Sequence, residues 1–236
     1  MLDLIYGKDD TKGVVSVSAG AGAEATLYVQ DAIGKVSAVK VPNKHWILYQ
    51  AQHSPKMSRL TGNQPYKWLM EYDSLERRTE ILKSTRQKNL SHWICRDDKE
   101  AYMLRSGVTY FKGLKVSDVS VLSFDLEHSY GIGNSLDTKG HLYIITNTFR
   151  NPQGIQRKQF CLDEYPTEKD MLEAWISWVL KIDPSILVGH NLFGHDWRIL
   201  RFASQKLKVP LSLGRDQSEA HFDHRFSLFR KDGSQQ

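Results

Sequence analysis

Val119-Ser-Val-Leu-Ser-Phe-Asp-Leu-Glu127 is apolar and β-branched enough to form a buried strand, yet it ends in two carboxylates, Asp125 and Glu127. Alternate residues of a strand share a face, so both acids project together, roughly 7 Å apart along the strand. Two carboxylates aimed at one point repel each other unless a cation lies between them. A hard divalent ion such as Mg²⁺ is the ordinary solution. The spacing alone is not selective, because Asp98 and Glu100 repeat it in a polar stretch with no strand behind it.

The surrounding chain supplies the context. Leu142–Phe149 reads as a second strand and Arg157–Leu162 as a third. A helix is predicted from Thr167, an N-cap after Pro166, with Asp170 in the capping-box position usually held by Glu or Gln. Leu172, Trp175, Ile176 and Val179 then mark one buried helical face, and Asp183-Pro184 ends it. Ser185-Ile-Leu-Val-Gly189 is a short apolar strand of the kind expected in the middle of a sheet covered on both faces. A second helix, from about Asp196 to Lys208, buries Ile199, Leu200, Ala203 and Leu207, and Pro210 closes it. The order β-β-β-α-β-α predicts an α/β fold: a three-strand meander, then a helix crossing to a parallel strand. Asn191-Leu-Phe-Gly-His-Asp196 sits where that strand turns into the second helix. Asp196 falls in the helix's first turn, where unpaired N–H groups and the dipole favour an ionised carboxylate. Taken singly, Asp196 is a helix-start acid, Asn191 a turn former and His195 a surface or packing histidine. Their joint placement with Asp125 and Glu127 points to a metal site.

With 236 residues the chain has room for one large domain or two small ones. No apolar run approaches the length of a membrane span, and the first residues lack a signal-peptide core. Two cysteines, Cys95 and Cys161, suggest neither a disulfide framework nor a zinc pattern, so a reducing cytoplasm is expected. The formal charge is +5, and Lys56–Lys112 carries 12 Lys/Arg against 7 Asp/Glu. Tyr66, Trp68, Tyr72, Trp93, Tyr102 and Tyr110 are interleaved with those bases. This mixture permits a nucleic-acid surface, and equally a solvated face over core aromatics. The first fifty residues are β-rich, with predicted strands at Val14–Val17, Thr26–Gln30, Val36–Val41 and Trp46–Tyr49. Ala19-Gly-Ala-Gly-Ala-Glu24 lacks the Gly-Lys-Ser/Thr ending of a phosphate loop and reads as a hairpin connection. Asp73–Lys88 is predicted to be an exposed helix.

Ser123-Phe-Asp-Leu-Glu127 resembles the first exonuclease motif of family B DNA polymerases, and Asp183-Pro-Ser-Ile-Leu-Val-Gly-His-Asn-Leu-Phe-Gly-His-Asp-Trp197 resembles the second. Val209-Pro-Leu-Ser-Leu-Gly-Arg-Asp-Gln-Ser-Glu219 resembles the segment that follows in the bacterial DNA polymerase II branch. The resemblance implies an RNase H-like mixed sheet with flanking helices over residues 116–236, preceded by a β-rich N-terminal domain over 1–115. It implies a 3′→5′ proofreading exonuclease of DNA replication or repair, with four acids holding two Mg²⁺ or Mn²⁺ ions. By position, Asp125 would bridge both metals, Glu127 would bind the nucleophile-side ion and Asp196 would help hold the other. Asn191 would contact the strand being trimmed, and Phe193 and His195 join it as DNA-contact candidates. Phe124 and Phe193 read more readily as packing residues than as stacking platforms.

Two departures stand out. His195 occupies a place where the family usually has Phe or Tyr, and packing or phosphate contact are its two readings. The third motif, a Tyr followed four residues later by an Asp, is not found: Asp216, Glu219, Asp223 and Asp232 have no Tyr at that spacing. His221-Phe-Asp-His224 reads as a polar loop in preference to a second metal cluster. The expectation is therefore a chain that trims DNA weakly or not at all alone, does not polymerise, and draws its last metal ligand from a C-terminal polymerase part or subunit. Expected partners are a single-stranded 3′ end and primer-template DNA, in the nucleoid of a bacterial or phage-infected cell. Two alternatives stand beside this: a non-catalytic module that positions primer-template DNA, and an autonomous nuclease that recruits Asp216 or Asp223.

Overall fold

The structure, a computed structural model, describes residues 7–129 and 140–220. They fall into two compact units, one formed by residues up to Ser120 with the turn Asn151–Gly154, the other by Val121–Arg150 and the chain from Ile155.

In the first unit β1 (Val14–Ala19), β2 (Glu24–Gln30) and β3 (Val36–Pro42) form an antiparallel sheet in that order. Residues 20–23 make the β1–β2 hairpin connection anticipated from their sequence. A second sheet contains β4 (His45–Tyr49), β5 (Ser58–Arg59) and β6 (Trp68–Tyr72). After α1 (Leu75–Gln87) comes its last strand, β7 (His92–Trp93), giving the order β5-β6-β4-β7; α2 (Asp98–Ser106) follows. The polar tips of its buried aromatics are satisfied: Trp46 Nε1 donates to the Ala101 carbonyl at 2.9 Å, and the Tyr49 and Thr85 hydroxyls meet at 2.9 Å.

The sequence did not announce α2. Its first turn holds the second Asp-x-Glu pair, Asp98 and Glu100, and the Asp97 carboxylate accepts the Glu100 N–H at 2.8 Å. Acids in a first turn complement the helix dipole, which accounts for this pair without a metal. Tyr72 and Tyr102 are core residues, so they leave the set of aromatics available to stack on a nucleic acid. Trp93 is partly exposed and stacks on Trp46 at 5.6 Å.

The second unit contains β8 (Val121–His128), β9 (Leu142–Asn151), β10 (Gly154–Cys161), α3 (Glu168–Ile182), β11 (Ile186–Val188) and α4 (Asp196–Leu207). The sheet order is β10-β9-β8-β11, with β8 antiparallel to β9 and parallel to β11. This is the expected meander and crossover of an RNase H-like α/β sheet. Leu122, Phe124 and Leu126 point inward from β8 and join Met171, Leu172 and Trp175 of α3 and Leu200 of α4 in one core. The Phe124 ring lies 5.5 Å from Trp175 and 5.7 Å from Trp197. Trp175 donates its indole N–H to Asn147 Oδ1 at 3.0 Å, and the Asn147 amide donates to the Ile145 and Lys158 carbonyls. That buried amide therefore satisfies both ends inside an apolar core.

β11 departs from expectation. Among the described residues it pairs only with β8, and Val188 is 40% exposed, so it is an edge strand rather than a central one. Three apolar residues specify burial against one neighbour and carry no signal for a second. No helix among the described residues is long and apolar enough to cross a membrane.

Thr167 caps α3 as its sequence suggests, accepting the Asp170 N–H at 3.2 Å and donating to the Asp170 carboxylate at 2.6 Å. The next residue, Glu168, is buried and ties three elements together. Its carboxylate accepts from Lys206 Nζ at 2.7 and 2.9 Å, the Leu142 N–H at 3.0 Å and His141 Nδ1 at 3.0 Å. Burial pushes its pKa up, but the Lys206, Leu142 and His141 donors together outweigh burial and hold it below the ordinary 4.5. A folded value below the unfolded one gives stability that is full above about pH 4.5 and disappears as pH falls through the folded value. Glu168→Gln is expected to lower stability by about 2 kcal/mol at neutral pH in urea unfolding. The gap from the native protein should close as pH drops below the ordinary carboxylate value; a gap that stays constant into acid would count against the network.

Candidate functional site

Ser123, Asp125 and Glu127 alternate outward from β8, opposite Thr148, Thr146 and Ile144 of β9, and all three are exposed. The two carboxylates thus share the sheet face turned away from the core. Thr146 Oγ1 donates to the Asp125 backbone carbonyl at 3.3 Å. An open groove follows this face, lined by Ser123, Asp125, Thr146, Thr148, Arg157 and Gln159. Arg157, exposed on β10, gives the groove a guanidinium. Sequence reading missed it because its relation to Asp125 exists only once three strands are set side by side.

The turn from β11 into α4 is built against the same strand. The parallel register sets Val188 opposite Ser123, which brings Gly189 alongside Phe124. A Cβ at Gly189 would stand 3.0 Å from the Phe124 carbonyl oxygen, so any larger residue would require the strand or turn to give by a few tenths of an ångström. Asn191 is exposed with a positive φ of 51°, and its carbonyl accepts the His195 N–H at 2.9 Å. The Leu192 carbonyl accepts the Trp197 N–H at 2.9 Å, closing the chain into the first turn of α4.

Within this junction Leu192 is buried and Phe193 is 79% exposed. The packing role expected for Phe193 is therefore corrected: neighbouring turn residues face opposite ways, and Leu192 takes the inward place. Phe124 does pack. His195, the N-cap of α4, is half-buried and approaches His128, with their Nε2 atoms 3.2 Å apart.

Asp196 is the first residue of α4, only 1% exposed, and among the described residues neither carboxylate oxygen has a hydrogen-bond partner. His195 Nδ1 stands 3.6 Å from Oδ1, too far for a hydrogen bond. Burying a carboxylate with its lone pairs unmet costs several kcal/mol unless a cation or further donor reaches it. The donor set of Asp125, Glu127 and Asp196 is all carboxylate oxygen, the chemistry that hard divalent ions select. Among the described residues, however, no three His, Cys, Asp or Glu side chains are gathered closely enough to hold an ion by themselves.

Asp216, one candidate for an extra ligand, is engaged in a turn where its Oδ1 accepts the Ser218 N–H at 3.1 Å and the Ser218 hydroxyl. Asp223 and the His221–His224 stretch lie outside the described residues. Arg215 has a structural part that sequence reading missed. It donates to the Asp183 carboxylate at 2.6 Å and to the Asp183 and Pro184 carbonyls, fastening the segment after α4 to the turn before β11.

Residues 108–231 match the family model for the exonuclease domain of family B DNA polymerases. The chain belongs to that family. Among its relatives, the DNA polymerase of Thermococcus sp. (strain 9oN-7) is 28% identical over 121 residues, covering 50% of this chain and 15% of that protein. DNA polymerase II of Escherichia coli (strain K12) is 32% identical over 68 residues, 28% of this chain and 9% of that protein. The chain thus matches only a small part of the length of these relatives. In fold it is similar to the family B DNA polymerase from the archaeon Pyrobaculum calidifontis, with a TM-score of 0.57 at 14% identity, covering 87% of this chain and 34% of that one.

The unmet Asp196 carboxylate gives a direct test of the site's electrostatics. In EDTA, Asp196→Asn removes a buried unpaired charge and is expected to raise unfolding stability by about 1–2 kcal/mol. Divalent cations should stabilise the native protein more than the variant. A loss of stability in EDTA would show that the carboxylate is already well solvated or paired.

Proposed function

We propose that this exonuclease domain hydrolyses DNA from its 3′ end, removing nucleotides as the proofreading activity of a family B polymerase. The observation that carries the reading is Asp196: a buried carboxylate at the start of α4 with no hydrogen-bond partner among the described residues, on a helix packed through Trp197 against Phe124, the residue before Asp125. Asp125 and Glu127 supply two further carboxylates on the open sheet face. Together the three would hold two Mg²⁺ or Mn²⁺ ions. When bound, such a pair activates water and stabilises the leaving 3′-oxygen.

The remaining residues deal with the DNA strand. Arg157 offers a guanidinium to a phosphate, and the hydroxyls of Thr146 and Thr148 line the same groove as further hydrogen-bonding groups. Exposed Asn191 and Phe193 project from the β11–α4 turn, where an amide can meet the sugar-phosphate backbone and a ring can meet a base. His195 is turned toward His128 and Asp196, so its role is to support the junction more than to touch phosphate.

A second reading, a DNA-binding module without catalysis, draws on the absence of a preformed three-ligand cluster among the described residues. The two readings separate on one experiment with a 5′-labelled single strand in Mg²⁺. Hydrolysis predicts a ladder of shortened products, and Asp125→Ala should slow it by roughly 100- to 1,000-fold or more while leaving strand binding in EDTA unchanged. Equal behaviour of native and variant proteins would favour the binding module.

A further inference from the structure

The excess positive charge of the chain is concentrated in one region, and the proposed exonuclease makes no use of it. Leu48–Met70 and Ile81–Arg96 together hold seven Lys/Arg and no Asp/Glu, more than the whole formal charge of +5. The remainder of the chain is therefore net acidic, and the excess belongs to the first unit. Folding brings the two segments together. Tyr49 pairs with His92 between β4 and β7, the Gln50 N–H donates to the Ser91 carbonyl at 3.2 Å, and Met57 shares a core with Leu82 and Leu90.

On an ordinary protein surface cations are interspersed with acids. Here they are not. Arg86, Lys88 and Arg96 are exposed, as are Lys56 and Arg59, and among the described residues none of these five side chains has an ion-pair or hydrogen-bond partner. The acids that border the two segments are engaged elsewhere. Glu71 accepts from Arg105 at 2.5 Å, Asp73 from Lys44 and Glu80 from Arg77 at 2.9 Å, while Asp97 accepts the Glu100 N–H in the first turn of α2. Uncompensated cations held close together attract a polyanion, which releases its counterions on binding.

Trp93 indicates which polyanion fits. It lies on β7, an outer strand with no neighbour beyond it among the described residues, between Lys88 and Arg96 in the chain. Its ring is 41% exposed and stacks on Trp46 at 5.6 Å with planes 29° apart. Trp46 is buried and held by its indole N–H on the Ala101 carbonyl, so it forms a fixed floor and Trp93 is the open end of the stack. An unpaired base has the flat face that continues such a stack; a duplex keeps that face covered, and an acidic peptide has none. We propose that the first unit binds a single-stranded polynucleotide along β7, with a base on Trp93 and phosphates on Arg86, Lys88 and Arg96. Lys56 and Arg59 add to the same field. The site needs no metal and is independent of the carboxylates of the second unit.

The test is a titration of ¹⁵N-labelled full chain in EDTA with a short oligothymidylate or oligouridylate. The Trp93 indole N–H resonance, identified by its absence in Trp93→Phe, should shift, and the strand that titrates more tightly names the ligand as DNA or RNA. Arg86→Gln/Lys88→Gln, at two exposed positions, should move the titration to roughly 10-fold higher strand concentration and reduce its log–log salt slope by about 1.4. Arg157→Glu, in the groove of the second unit, should leave the Trp93 titration as it is. The proposal is overturned if neither strand moves the resonance, or if polyglutamate or a duplex of equal charge moves it equally well. It is also overturned if the double substitution changes nothing or if the response is lost in Arg157→Glu. A failure to trim DNA in Mg²⁺ would leave this titration untouched, so the two proposals fall separately.

Discussion

Phe124 is the constraint on which the site depends. Its ring is shared between Trp175 of α3 and Trp197 of α4, while its backbone carbonyl receives the close approach of Gly189. One inward residue of β8 therefore fixes the helix that crosses the sheet, the strand that pairs in parallel and the helix that follows. Because side chains alternate along a strand, burying Phe124 this firmly obliges its neighbour Asp125 to face outward. Asp196, next to Trp197, is carried to the same strand by the same contact. An apolar packing arrangement that involves none of the acids thus sets where each stands, and among the described residues it does not gather the three into one cluster.

That arrangement also explains how an expensive group is kept. A buried carboxylate without donors lowers stability, and a protein retains one where the surrounding packing can bear the cost. The second unit has such packing in the Trp175–Asn147 hydrogen bond and in the Glu168 network that ties α3, α4 and the start of β9 together. Glu168 and Asp196 make a useful contrast. Both are buried acids near a helix start; one is met by Lys206, His141 and a backbone N–H, and the other by nothing among the described residues. The first reads as structural, and the second is the carboxylate on which the proposed metal-binding function rests.

Much of the second unit was legible in the sequence because its elements are long and strongly periodic. The apolar stripe from Leu172 to Val179 and the Thr167 cap specify α3, and the alternation in β8 specifies which acids share a face. The edge position of β11 was not legible, since three apolar residues cannot say how many neighbours they have. The exposure of Phe193 was hidden for a related reason: in an irregular turn no period tells which of two adjacent apolar residues is buried. Arg157 and the His128–His195 contact arise from residues 32 and 67 positions removed in the chain from Asp125 and His128 respectively, and only the folded sheet brings them near. In the first unit, α2 and β6 lay in a polar, aromatic-rich stretch whose local pattern favours no single element.

The proposed function requires that Asp125, Glu127 and Asp196 act as ligands of one metal centre. The most direct measurement is the anomalous scattering of Mn²⁺ in crystals of the protein grown or soaked with that ion. Manganese is expected on the open face of β8, with a carboxylate oxygen of Asp125 within about 2.2 Å and Asp196 turned into the same coordination shell. Manganese bound only elsewhere, with Asp125 in solvent and Asp196 still unpartnered, would contradict it.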